Sequence, residues 1–148
     1  MGKRHGGAIE DAATFFQKNK EEDNIVELVA SLKKQGVRIP GFGHRVLCED
    51  KRAQTLLCIA KEENIYGPHC AFAEKVEREL AAVSSKPIPL NIDGVMAAIF
   101  SDMGFESGLM VGFFAIARCP GLAAHVYEEM KGGEGLRRID EGDIEYLG

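Results

Sequence analysis

The chain has no tryptophan and no CxxC pair. Its four cysteines, Cys48, Cys58, Cys70 and Cys119, are scattered. That argues against a zinc site or a disulfide framework and for reduced thiols in a cytoplasmic setting. They read as small core residues. His5 and His44 lack HxxxH or HxxE spacing, so no metal is expected. No P-loop or dinucleotide fingerprint occurs. The opening MGKRHGGAIEDAA has no apolar core of the signal-peptide kind. The most apolar run, Leu109 to Ala117, is too short to span a bilayer and ends on Arg118, so no membrane partner is expected. The formal net charge of -5 gives no nucleic-acid footprint, although local arginines can still bind small anions.

What is present is ordinary for a soluble globular protein: 45% hydrophobic and 28% charged residues in 148, enough for one domain with a core. The periodicity is helical almost throughout. Ile9, Ala12, Ala13 and Phe16 mark a helix over Ile9 to Lys18, entered through Gly6-Gly7. Asp23 to Lys34 is a second, with Gly36 as its stop. Asp50 to Glu63 and Ala71 to Val83 follow, separated by the breaker Tyr66-Gly67-Pro68. Ser84 to Leu90 holds two prolines and reads as extended. Asn91 can cap a helix from Ile92 to about Met103. Phe105 to Ala117 is apolar on every side; such a helix is normally buried all round, but a chain this short offers little cover, so an exposed apolar helix that seeks a partner is expected, and Pro120 reads as the start of one more helix, to about Met130. Strand signals are weak and confined to Val37 to Ile39. The expected fold class is all-α.

The stretch Ile39 to Arg52 carries the most chemistry. Pro40, Gly41 and Gly43 leave the chain no helical option there, so His44 sits on a tight loop between Arg45 and Arg52. An imidazole between two guanidiniums suits a small polycarboxylate, because Arg forks grip carboxylates with two hydrogen bonds. A solvated turn is the plain alternative. His5 precedes the first helix, where the dipole favours a neutral imidazole; a basic tail is the plain alternative. Asp93 lies in the first turn of the Asn91-capped helix and could be no more than a dipole partner. Lys86 could meet a phosphate or be solvated. Arg118 could hold an anion or cap its helix. His69 and His125 read as helix-start and helix-packing residues.

Four ordered motifs give these pieces a common frame: HGGA at His5 to Ala8, PGFGHRV at Pro40 to Val46, LNIDG at Leu90 to Gly94, and FAIARCPGLAAH at Phe114 to His125. In order and spacing they resemble the C-terminal part of the citrate synthase family along almost the whole chain. PGLAAH and the closing GLRRIDEGDIEYLG are more similar to citryl-CoA lyases and to the lyase module of ATP-citrate lyase. The resemblance implies His5, His44 and Asp93 as catalytic residues. It implies Arg52, Arg118, Arg138 and, with a less defined role, Arg45 as carboxylate binders, with Arg138 reaching a neighbouring subunit. The backbone of Pro40, Gly41, Phe42 and Gly43 would receive the adenine of CoA, and Lys86 a CoA phosphate.

The implied substrates are oxaloacetate or citrate with acetyl-CoA or citryl-CoA, and CoA is a co-substrate with no tightly bound cofactor. The resemblance divides the chain into a small domain, 1–104, and a returning helix, following helix and tail, 105–148. The family's large N-terminal region lies outside this sequence, which implies a self-associated oligomer or a partner chain. One departure is local: the family's Asp-Pro-Arg is Asp50-Lys51-Arg52 here, one residue closer to His44.

Overall fold

Apolar residues at spacings of three and four give six α-helices and one short 3₁₀ turn, with no strand among the described residues. The computed structural model describes residues 7–44, 48–132, 140 and 142. The helices are α1 (Ala8–Asn19), α2 (Ile25–Lys34), α3 (Lys51–Glu62), α4 (Pro68–Val83), α5 (Ile92–Asp102) and α6 (Met110–Gly132), with the 3₁₀ turn at Ser107–Leu109. The chain packs as two units, Met1–Phe114 and Ala115–Gly148.

In the first unit α5 is the hub, touching α1, α3 and α4, while α2 packs on α4. Small side chains allow this: Val95, Ala97 and Ala98 on α5 are fully buried, as are Ala12 and Ala13 on α1. Phe16 and Phe72 fill the centre, edge to face with ring centroids 6.2 Å apart. A second aromatic group, Phe100, Phe105 and Phe113, closes the far end of α5, with Phe100 and Phe113 4.6 Å apart.

The start of α4 depends on a carboxylate from the other end of α5. Pro68 takes the first helical position, where its missing N–H costs nothing. Asp102 then accepts from the backbone N–H groups of Gly67 (2.8 Å), His69 (2.8 Å) and Cys70 (3.0 Å), and from His69 Nδ1 (2.8 Å). Burial pushes the Asp102 carboxyl up, but the hydrogen bonds from Cys70 and His69 outweigh it and hold the group below the usual aspartate range. Burial, and then the neighbouring Asp102, push the Cys70 thiol far above the usual range, so this thiol is inert. This cap starts α4 three residues before the expected Ala71. His69 has the helix-start role its position suggested.

Three expectations are corrected. The helices expected over 105–117 and from Pro120 are a single helix, α6, with Pro120 inside it. Proline's φ suits a helix; its missing hydrogen bond costs about 3 kcal/mol. Good helix formers on both sides, Ala115, Ala117, Leu122, Ala123 and Ala124, work against that loss. As expected for a chain with little cover, this helix is not buried all round: Met110 and Phe114 are buried, but Ile116 is 67% exposed. Of the cysteines only Cys70 is a core residue, while Cys48, Cys58 and Cys119 are exposed. In place of a strand at Val37 to Ile39 there is one isolated antiparallel bridge, Phe42 to Leu90.

Candidate functional site

The bridge between Phe42 and Leu90 is the foundation of the site. Gly43 N–H donates to the Pro89 carbonyl (2.7 Å), and Asn91 N–H to the Gly41 carbonyl (3.0 Å). The Asn91 side chain then does two things. Its Oδ1 accepts from Gly94 N–H (3.0 Å), capping α5, and its Nδ2 donates to the Gly43 carbonyl (2.9 Å). The residue before His44 and the residues before Asp93 are therefore tied to each other directly.

The close approach requires glycine on both sides. Gly41 has φ of +86°, and a Cβ there would lie 2.8 Å from the Gly94 Cα. A Cβ on Gly94 would lie 2.3 Å from the Gly41 carbonyl oxygen. Phe42 anchors the loop from below, its ring 6.0 Å from that of Phe16 and almost perpendicular to it. Burying such a ring contributes about 2–3 kcal/mol, enough to hold a short loop in one place. His44 is exposed at the end of this loop, and Asp93 is partly buried in the first turn of α5.

Arg52 reaches the start of α5 through Asp50. The Asp50 carboxylate, 2% exposed, caps α3 by accepting from Arg52 N–H (3.2 Å) and grips the Arg52 guanidinium at Nε and Nη2 (2.9 Å each). Its Oδ2 also accepts from Ile92 N–H (3.1 Å), the residue before Asp93. The Arg52 guanidinium holds the Asp50 carboxyl below its usual range, burial working against this. Asp50, first, and more weakly Asp93 raise Arg52 further, which sets the guanidinium within the field of both carboxylates.

Beside the loop lies a cleft of about 420 Å³. Phe42, Gly43, His44, Lys86, Pro87 and Ile88 line it, with Arg38 and with Lys33, whose ammonium donates to the Val83 carbonyl. An apolar lining that also holds lysines and an arginine suits a flat ring that carries phosphates. Pro40 and Gly41 are not among its walls; Gly41 faces Gly94 instead.

The structure thus ties the backbone beside His44 to the start of α5 that bears Asp93, sets Arg52 within the field of Asp93, and places Phe42, Gly43, His44 and Lys86 in the adjoining cleft. Arg118 is exposed on α6, within the second unit. His5, Arg45 and Arg138 lie outside the described residues. Among the described residues no group of three His, Cys, Asp or Glu side chains could hold a metal. Sequence reasoning missed Lys33 and Arg38. Lys33 stands in the last turn of α2, where a cation is the common helix-end pattern, Arg38 lies beyond that helix, and only the fold brings both to the cleft that Lys86 lines. It also missed the second task of Asp50, whose local signal was that of a helix cap.

The all-helical frame matches a citrate synthase-like helical domain. Residues 1–139 match the family model described as "Citrate synthase, C-terminal domain", and the chain belongs to the citrate synthase family. Among solved structures it is similar to citryl-CoA lyase from Hydrogenobacter thermophilus, at 43% identity and a TM-score of 0.86 over 99% of this chain and 59% of that one. ATP citrate lyase from Methanothrix soehngenii, solved with citrate and coenzyme A, is similar at 32% identity and a TM-score of 0.77, over all of this chain and 27% of that one. The "ATP-citrate synthase beta chain protein 1" of Oryza sativa subsp. japonica is 30% identical over 99% of this chain. The chain spans 27% of that relative's length.

Proposed function

We propose that this chain is a citrate synthase-like, CoA-dependent segment. It makes or cleaves the carbon–carbon bond between acetyl-CoA and oxaloacetate, in the manner of a citrate synthase or a citryl-CoA lyase. One observation carries the reading: the backbone junction of Gly41–Gly43 with Pro89–Asn91 ties the His44 loop to the helix start that bears Asp93. The higher identity to a citryl-CoA lyase favours cleavage as the direction.

In this reading Asp93 takes a proton from the acetyl methyl in synthesis, or returns one in cleavage. That carbon acid is far weaker than a carboxylic acid, so the enolate needs support as it forms. A neutral His5 supplies it by donating to the thioester oxygen. His44 donates to the ketone of oxaloacetate in synthesis and takes the citryl hydroxyl proton in cleavage. Arg52, Arg118, Arg138 and Arg45 hold and polarise the carboxylates, keeping the reacting carbons in line. CoA lies in the cleft by Phe42, Gly43 and Lys86, with Pro40 and Gly41 shaping the loop. Lys33 and Arg38 join Lys86 as phosphate partners.

The same reading treats 1–104 as the small domain and 105–148 as the part that returns to a large domain, in a cytoplasmic protein. Turnover of citryl-CoA by the wild-type chain, compared with Asp93→Ala, tests it. A loss of at least a thousandfold is expected. An active preparation that keeps its rate without Asp93 removes the mechanism.

The length of the relatives favours a second reading. This chain covers 59% of the lyase chain it resembles, so it could bind CoA and citrate without turnover until a partner closes the site. Calorimetry with CoA and citrate separates the two, because binding without turnover supports only the second.

A further inference from the structure

Asp50 does more than a helix cap requires. A cap needs one oxygen accepting from one backbone N–H, and serine or asparagine would serve. Asp50 uses both oxygens, each of them twice. Oδ1 accepts from Arg52 N–H and Arg52 Nε, and Oδ2 from Arg52 Nη2 and Ile92 N–H. It is the shared partner of three things: the start of α3, the guanidinium of Arg52 and the first turn of α5. The carboxylate side chain is 1% exposed, whereas Arg52 is 56% exposed. The buried group therefore fixes one edge of the guanidinium, and the arginine remains accessible to a ligand from solvent.

We propose that Asp50 is a positioning residue: it presents the Arg52 guanidinium to a substrate carboxylate and locks that arginine to the helix turn carrying Asp93. The inference rests on the reading of this site as one for citrate and CoA. An arginine held by a fork loses less rotamer freedom when it binds a carboxylate, because one edge is already fixed. The Ile92 contact adds register: any shift of α5 that moved Asp93 would also pull on Asp50, and so on Arg52.

The test measures citrate and CoA affinity by calorimetry on the full chain, with thermal melting alongside. The variants are Asp50→Asn, Asp50→Ser, Arg52→Gln and the Asp50→Asn/Arg52→Gln pair. Asn and Ser both keep a cap on α3, but neither can grip a guanidinium as a charged fork. Both are expected to weaken citrate about tenfold. CoA affinity, set in the separate cleft, is expected to stay within about twofold of wild type. In the Arg52→Gln background Asp50→Asn is expected to add no further citrate loss, because it acts through Arg52.

Citrate affinity unchanged in Asp50→Asn overturns the proposal. So do losses that multiply in the double variant, and so does an equal fall in citrate and CoA affinity, the mark of a merely structural role. A wild-type chain that binds neither ligand overturns the functional reading as well, which separates that failure from a failure of Asp50 alone.

Discussion

Asp102 closes α5 and opens α4, and it does so from a nearly waterless position, its side chain 2% exposed. A charge so buried is held only by its partners: three backbone N–H groups and His69 Nδ1. Replacing it with alanine leaves those donors orphaned and is expected to cost about 3 kcal/mol, read from the urea midpoint. The sign of the pH dependence follows from the lowered pKa. The charged form is favoured in the folded state, so its stabilisation is complete above the ordinary aspartate value of about 4 and fades as pH falls toward the folded value. Asp50 and Glu74 are also held low and fade in the same direction. The readout is therefore the difference between wild type and Asp102→Ala, which should narrow between pH 6 and about pH 3. A difference that stays constant over that range would mean Asp102 gains nothing from its charge. None of this was legible from sequence, because Asp102 lies 33 residues from His69 and local patterns report only near neighbours.

At the scale of elements, α1 to α5 could be read because each carries its own signal. Asn24, Asp50 and Asn91 accept from backbone N–H groups at the starts of α2, α3 and α5, and Gly36 ends α2 with φ of +67°. His44 and Asp93 were legible for the same reason, since glycine spacing and an Asn cap are local facts. The junction between them was not, although LNIDG held its key. Gly94 is not a flexible hinge in this fold but a contact surface for the Gly41 carbonyl. Gly94→Ala must push loop and helix apart, at a cost of about 1–3 kcal/mol. It is expected to lower any Asp93-dependent turnover by more than its effect on stability alone. Gly112, on α6, is the control: a Cβ there meets nothing within 4 Å. Gly112→Ala is expected to leave stability unchanged or raise it by up to about 1 kcal/mol, as glycine-to-alanine does in an open helix. If both variants melt alike, the close approach of Gly41 and Gly94 is not what fixes the junction.

The whole molecule poses a question of cover. Its sequence forecast both the apolarity of the 105–117 stretch and its want of cover in a chain this short, and Ile116 is indeed 67% exposed. In the second unit Leu122, Val126 and Met130 recur every four residues on α6, 61%, 57% and 76% exposed. A helix presents such a row on one face. From Ser107 to Gly132 the helix is also long and apolar enough to cross a bilayer, which the run 109–117 alone is not. Arg118, a charge within that span, favours protein cover over a bilayer. Water contact along three large side chains costs several kcal/mol that association recovers. The chain is therefore expected to sediment above its 16.2 kDa monomer mass at micromolar concentration. Leu122→Glu with Val126→Glu should shift it to monomer without reducing the CoA affinity proposed for the cleft beside Phe42. Addition of neutral lipid vesicles should leave the wild-type oligomer in solution. A wild-type chain that stays monomeric, or that floats with the vesicles, would show that this face has a different partner.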